Sequence, residues 1–207
     1  PTATDFDRLE NPMDRWIVSA SESLVQEVTE AWDNYETQRA CGAIVSFIDQ
    51  LNNWYIRRSR RRFWRSENDI DKKMAYDTLY QVMMKLIHVA APVIPFTTEE
   101  IYQNLKTSGM PESIHLGDFP VVKEGQRDFM LERMMALTQK AITMGRSLRS
   151  SHNLKIRQPL QKLYLVTRDE TERSILKEMQ GIISEELNVK EIYIQEDETG
   201  LVSYQAK

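Results

Sequence analysis

Residues 52–65 read NNWYIRRSRRRFWR, and these fourteen positions contain six arginines and no acidic residue. The chain of 207 residues has a formal net charge of −4, and because this segment contributes +6, the remaining residues sum to −10. A cluster of arginines in an otherwise acidic chain favours a polyanionic partner. The tryptophans among these arginines add flat rings on which nucleic-acid bases can stack.

The arginine segment continues a helical pattern of apolar residues that begins upstream and includes Ile44 and Ile48. At about 100° per residue, one side of this helix is predicted to be a core face with Ile48, Tyr55 and Phe63. The other side is predicted to be an exposed basic arc with Trp54 near its middle. The arginines of this arc are Arg57, Arg58, Arg61, Arg62 and Arg65, with Arg60 and Trp64 on its flanks.

Nucleic acid is the partner that this pattern favours, because a guanidinium pairs bidentately with phosphate and also stacks on bases. In an isolated helix the like charges of Arg57, Arg61 and Arg65 repel one another, which costs roughly a few tenths of a kcal/mol per pair. No acidic residue at i±4 offsets this repulsion at the centre of the segment. The alternatives are a solvated face, a face paired with carboxylates elsewhere in the chain, and an anionic membrane surface. For Trp54, the alternative to base stacking is burial against a neighbouring helix.

Composition limits the class of protein. A hydrophobic content of 41% is enough for a core, and the absence of a run of about eighteen apolar residues argues against a membrane span. The single Cys41 and ten methionines fit a reducing cytoplasm. Because the sequence opens with PTATDF and has no initiator Met, we expect it to be part of a longer polypeptide.

The periodicity predicts a mainly α fold, in which an antiparallel helical bundle is followed by a small α/β subdomain. We assign residues 1–120 to the bundle, which is built from four amphipathic helices. Residues 121–207 are assigned to a long helix, a strand at KLYLV, a helix over 172–187 and a second strand at VKEIYIQ. The long helix has a heptad-like apolar seam, which predicts an internal packing face or, alternatively, a coiled-coil or protein-partner contact. The seam residues are Met130, Met134, Leu137, Ala141, Met144 and Leu148.

Catalytic and metal-binding signals are missing from the sequence. The histidines His88, His115 and His152 are far apart, and none has another His or Cys at metal-ligand spacing. There is no glycine-rich phosphate loop and no nucleophile elbow. The sequence therefore predicts a binding module without catalytic residues, metal or cofactor. Lys155 and Arg157 form a second basic pair, predicted to lie near phosphates or, alternatively, to be ordinary surface charge.

Five segments resemble, in the same order, the C-terminal region of the isoleucyl-tRNA synthetase family, a class I aminoacyl-tRNA synthetase. Over roughly residues 5–165 they read NPMDRWIVS, DNYETQRACGAIVSFIDQLNNWYIRRSRRRFW, APVIPFTTEEIYQNL, PESIHLGDFP and LRSSHNLKIRQPL. DRWI and PF-TEEIY are shared with valyl- and leucyl-tRNA synthetases, whose equivalent domain is the alternative. NNWYIRRSRRRFW and LK-R-PL favour isoleucine.

The resemblance implies that the bundle is an anticodon-binding domain and that the α/β part is a junction near the tRNA stem. The family joins isoleucine to its tRNA with ATP and magnesium, using His-x-Gly-His and Lys-Met-Ser-Lys-Ser motifs that this sequence lacks, so we expect this chain to be inactive by itself. The implied partners are the isoleucine tRNA and an upstream catalytic domain of the same polypeptide, in a cytoplasmic monomer without zinc in this segment. The predicted tRNA-binding residues are Trp54, Arg57, Arg58, Arg61, Arg62, Arg65, Lys155 and Arg157.

Overall fold

The computed structural model describes residues 6–64 and 69–197, apart from the side chain of residue 69. The chain divides into two compact units, residues 1–129 (unit 1) and 130–207 (unit 2). The sequence analysis had put the division after residue 120. The predicted fold class is confirmed, because the described residues are mainly α-helical with a small α/β part.

Unit 1 is a group of packed helices. Its helices are α1 (Pro12–Asp33), α2 (Thr37–Gln50), α3 (Arg57–Trp64), α4 (Asp69–Ala90) and α5 (Pro95–Leu105). Helix α1 begins where the Asn11 side chain accepts a hydrogen bond from the amide of Met13 at 2.9 Å, with Pro12 in the first turn. It packs against both α2 and α4 and buries Trp16 and Ile17 in the core.

The segment that follows α5 is fastened to α1 by hydrogen bonds. The amide of Lys123 donates to Glu22 Oε2 at 2.9 Å, and the amide of Asp128 donates to Ser19 Oγ at 2.7 Å. Glu22 is fully buried and also pairs with the ammonium of Lys85 on α4. These contacts are the physical reason why residues 121–129 belong to unit 1 rather than to the α/β part.

Unit 2 contains a strand–helix–helix–strand arrangement. Its elements are α6 (Phe129–Ser151), β1 (Leu160–Val166), α7 (Glu170–Glu178), α8 (Gln180–Leu187) and β2 (Val189–Gln195). The strands are parallel, with Leu160 opposite Val189 and with the rings of Tyr164 and Tyr193 stacked 5.2 Å apart. The single helix predicted over 172–187 is wrong, because Met179 separates α7 from α8.

Helix α6 buries a different face from the predicted seam. Met134 and Ala141 are buried as expected, but Met144 and Leu148 are exposed. The buried side also includes Met135, Thr138, Ile142, Gly145 and Arg149. Together with Met130, half of the seam is exposed, so the predicted internal packing face is wrong for these three residues. None of the helices in the described part of the chain combines the length and the apolar character needed to cross a bilayer.

Candidate nucleic-acid interface

A π-helical turn, Leu51–Ile56, connects α2 to α3. A π-turn contains more residues than an α-turn, so the faces of α3 are rotated relative to an extrapolation from α2 at a constant 100° per residue. Ile48 is 42% exposed and Trp54 only 9% exposed. The predicted core position of Ile48 and the predicted exposed position of Trp54 are therefore both wrong, whereas Phe63 is buried as predicted.

Trp54 is a core residue in this structure. The guanidinium carbon of Arg57 lies 5.8 Å from the centre of the Trp54 ring, within the range of a cation–π contact. The indole is thus buried in the protein, with the guanidinium of Arg57 in contact with its ring. Burial against the bundle, the alternative that the sequence left open for Trp54, is the arrangement observed.

Arg62 points into unit 1 rather than outward. Its two terminal nitrogens donate to the two carboxylate oxygens of Asp14 on α1, each at 2.8 Å, and its Nε donates to Asp71 on α4 at 2.9 Å. The Arg62 side chain is only 14% exposed. The prediction that Arg62 belongs to the exposed arc is wrong, because the carboxylates of Asp14 on α1 and Asp71 on α4 hold it inside.

The Asp14 carboxylate is the centre of this buried network. Its side chain is 1% exposed, and it also accepts a hydrogen bond from the Tyr55 hydroxyl at 2.8 Å. Burial and the neighbouring Asp14 charge raise the pKa of Tyr55 above its ordinary value. Burial alone would lower the pKa of Arg62, but its hydrogen bonds to Asp14 and Asp71 outweigh that effect and raise it. The network joins α1, α3, α4 and the π-turn.

The outward side of α3 carries three exposed arginines and an exposed indole, Arg57, Arg60, Arg61 and Trp64, which we call the arginine face. Trp64 is 71% exposed, and the guanidinium carbon of Arg60 lies 4.8 Å from the centre of its ring. Arg57 Nε donates to the carbonyl of Asn53 at 2.7 Å, which fixes the start of this face. Arg58 is half-buried beside it.

Arg60 and Trp64 are the residues whose importance the sequence analysis missed, since it put them on the flanks. Within α3 alone, the four residues of the arginine face follow the spacing i, i+3, i+4, i+7, which marks one side of a helix. That signal was present in the sequence. It was obscured because the phase was carried over from α2 across the π-turn.

Exposed guanidiniums and an exposed indole on one side of a helix can pair with phosphate oxygens and stack on unpaired bases. A family model of the anticodon-binding domain of tRNA ligases matches residues 14–164, which include every element of this site. The chain belongs to this family of anticodon-binding domains. The match covers unit 1 from α1 onward and extends into β1 of unit 2.

The anticodon-binding domain has several similar curated relatives, all named isoleucine–tRNA ligase. It is 54% identical to the ligase of Treponema denticola over 200 residues, 49% identical to that of Treponema pallidum, and 46% identical to that of Protochlamydia amoebophila. These alignments cover 94–97% of this chain but only 18–19% of each relative. The chain thus spans about a fifth of the length of the ligases it matches.

Three predicted site residues remain, and two of them lie in unit 2. Lys155 and Arg157 are exposed on the loop that connects α6 to β1 in unit 2. Arg65 lies outside the described residues. Within residues 6–64 and 69–197, no group of three His, Cys, Asp or Glu side chains is arranged to hold a metal ion.

Proposed function

We propose that this domain binds the anticodon stem and loop of an isoleucine-accepting tRNA on behalf of an isoleucine–tRNA ligase. The names of its relatives and identities of 44–54% support isoleucine rather than valine or leucine. The parent enzyme would attach isoleucine with ATP and magnesium through an upstream catalytic domain, as a cytoplasmic monomer. The domain by itself would need no cofactor and would be inactive.

The observation that carries this proposal is the arginine face. An anticodon loop combines phosphates with unstacked bases, and proteins read such loops with guanidiniums and aromatic rings. Arg57, Arg60 and Arg61 supply exposed guanidiniums, while Trp64 supplies an exposed ring. A solvated surface has no need for an exposed indole beside an arginine, because a large exposed apolar ring is unfavourable in water.

For the described residues of the predicted set, we assign roles from their exposure. We assign phosphate contacts to Arg57 and Arg61, with Arg58 contributing from its half-buried position. Trp64 takes the stacking role first assigned to Trp54. Arg62 supports the helix through Asp14 rather than touching RNA, and Arg65 keeps its predicted role as a phosphate contact.

The test is a salt titration of binding between the 207-residue chain and transcribed tRNAs, followed by fluorescence anisotropy. We expect tighter binding to the isoleucine tRNA than to a non-cognate tRNA. Replacing both Arg57 and Arg61 with Ala should weaken binding and make the log–log salt dependence shallower by about 0.7 to 0.9 per lost contact. Since phosphate contacts carry little sequence information, both tRNAs should be affected to a similar extent.

The matched control is Arg39→Ala on α2. Arg39 is a partly exposed arginine of unit 1 that pairs with Glu36 at 2.9 Å and Glu30 at 3.4 Å, away from the arginine face in sequence. Its removal should leave the salt slope unchanged. Equal slopes for the wild type and the Arg57/Arg61 double variant would contradict the proposed site.

A further inference from the structure

The loop of residues 155–158, between α6 and β1, is the second concentration of positive charge in the chain, and we call it the basic loop. Eight Lys or Arg residues and no Asp or Glu occur between positions 133 and 168. Two of the eight, Lys155 and Arg157, extend from the basic loop and are exposed. The local charge is therefore complementary to a polyanion, although the chain as a whole is acidic.

Arg149, near the end of α6, holds the basic loop from inside unit 2. The residue is 5% exposed, so its guanidinium is inside the fold. It donates to the backbone carbonyls of Lys155 and Gln158 at two points of the basic loop, and to the carbonyl of Leu187 at 3.3 Å. A buried arginine that binds carbonyl groups in this way acts as a structural support and is not available to a ligand.

Asn188, at the end of α8, also holds the basic loop. It ends α8 in the left-handed conformation, with φ of 50°, which turns its side chain toward the basic loop. Its amide nitrogen donates to the carbonyls of Ile156 and Arg157, each at 3.1 Å. The backbone carbonyl of Asn188 accepts from the amide of Leu160 at 3.0 Å, so this residue also ties the loop to the start of β1.

Together, Arg149 and Asn188 bind the carbonyl oxygens of all four residues of the basic loop. The backbone is thus fixed before any ligand arrives, while the two cationic side chains extend into solvent. Binding to a preformed loop costs less conformational entropy than binding to a mobile one. Simple surface charge needs no such support, because exposed Lys and Arg are solvated equally well on a mobile loop.

We propose that the basic loop is a preorganised phosphate-binding surface for the same tRNA, with Arg149 and Asn188 as its positioning residues. The proposal rests on the proposed function, since it takes the polyanion to be tRNA. Lys155 and Arg157 contact phosphate oxygens, so this surface adds affinity without distinguishing one tRNA sequence from another. Its contribution has two separable parts, the charges themselves and the fixed backbone that presents them.

The two parts predict different changes in a salt titration with the isoleucine tRNA. The double change Lys155→Ala and Arg157→Ala removes charges, so affinity should fall and the log–log salt slope should become shallower by about 1.4 to 1.8 in total, for two contacts. Asn188→Gly keeps both charges and suits the left-handed backbone. It should therefore lower affinity several-fold while leaving the salt slope unchanged.

Asn153→Gly is the matched control for Asn188→Gly. Asn153 also has a left-handed backbone, with φ of 55°, and its side chain is exposed in the same connection between α6 and β1. This control should bind tRNA like the wild type, and all variants should keep the wild-type thermal midpoint within a few degrees. An equal loss of affinity in both glycine variants would overturn the positioning role, since loop flexibility in general would then explain it.

The Arg57/Arg61 double variant, measured in parallel, separates the two proposals. If it weakens binding while the Lys155/Arg157 variant does not, the basic loop is ordinary surface charge and only the present proposal fails. If the wild type shows no measurable binding to the isoleucine tRNA, the proposed function fails, and the present proposal, which takes tRNA as its ligand, fails with it.

Discussion

Arg61 and Arg62 are neighbours on α3 with opposite surroundings. The side chain of Arg61 is exposed on the arginine face, whereas that of Arg62 is 14% exposed and bonded to Asp14 and Asp71. Since the two residues are chemically identical, the difference comes from what lies opposite each of them. A run of arginines can thus contain both exposed residues and the residue that anchors the helix.

The same division of labour occurs in unit 2. Arg149 is buried and binds backbone carbonyls, whereas Arg157, on the loop that Arg149 supports, is exposed. In both units a buried guanidinium fixes a segment that presents other cations. The buried arginine forms hydrogen bonds with carboxylates in unit 1 and with neutral backbone carbonyls in unit 2. Its removal should therefore affect stability differently in the two units, because only in unit 1 does it leave a buried charge unpaired.

The comparison of Arg61 with Arg62 predicts the largest difference in the free energy of unfolding between two variants. Arg62→Ala leaves the buried Asp14 charge without its main partner, which should lower the free energy of unfolding by about 3 to 5 kcal/mol. Arg61→Ala should change it by no more than about 0.5 kcal/mol. Urea denaturation followed by circular dichroism measures both values. Similar small changes in the two variants would mean that Arg62 does not anchor α3.

A second comparison sets Trp54 against Trp64. Trp54→Ala should destabilise unit 1 by about 3 to 5 kcal/mol, because it removes a buried aromatic ring. Trp64→Ala should leave stability nearly unchanged and lower the affinity for the isoleucine tRNA by about 1 to 3 kcal/mol if the ring stacks on a base. Thermal melts and anisotropy titrations on the same samples separate the two effects. A Trp64 variant with wild-type affinity would remove this residue from the interface.

A smaller, pH-dependent effect is expected from Tyr55. Its folded-state pKa is raised, so its contribution to stability is complete below the unfolded pKa of about 10 and is lost as the pH rises above that value. Tyr55→Phe lacks the ionisable hydroxyl, and should be less stable than the wild type at neutral pH by about 1.5 to 3 kcal/mol, because the hydrogen bond to the charged Asp14 is lost.

Denaturation midpoints measured between neutral pH and about pH 11 should therefore converge for the wild type and Tyr55→Phe. The other tyrosines titrate in both proteins and cancel in the difference. A constant difference across this range would show that the ionisation of Tyr55 is not linked to folding.

The sequence was sufficient for the amphipathic helices of unit 1 and for the strand pattern of unit 2, because these depend on local periodicity, but it joined α2, the π-turn and α3 into one of its four predicted helices. It failed near the junction of α2 and α3, where Ile48 was assigned to the core and Trp54 to the surface. Ile48 lies on α2, whose buried side is formed instead by Ala40, Ile44 and Phe47, and Trp54 lies in the π-turn, which has no composition signal. The boundary near residue 129 was also hidden, because Lys123 and Asp128 reach α1 through backbone amides that any residue type supplies.

By itself, the sequence determined that this chain has an arginine-rich helix in an acidic protein, and that this helix has a basic side and an apolar side. Residue types and their spacing carry that information, since hydrophobic burial and charge are properties of the side chains. Only the tertiary structure decided which arginines face outward. That choice depends on Asp14 and Asp71, which lie on other helices and meet Arg62 only when α1, α3 and α4 pack together.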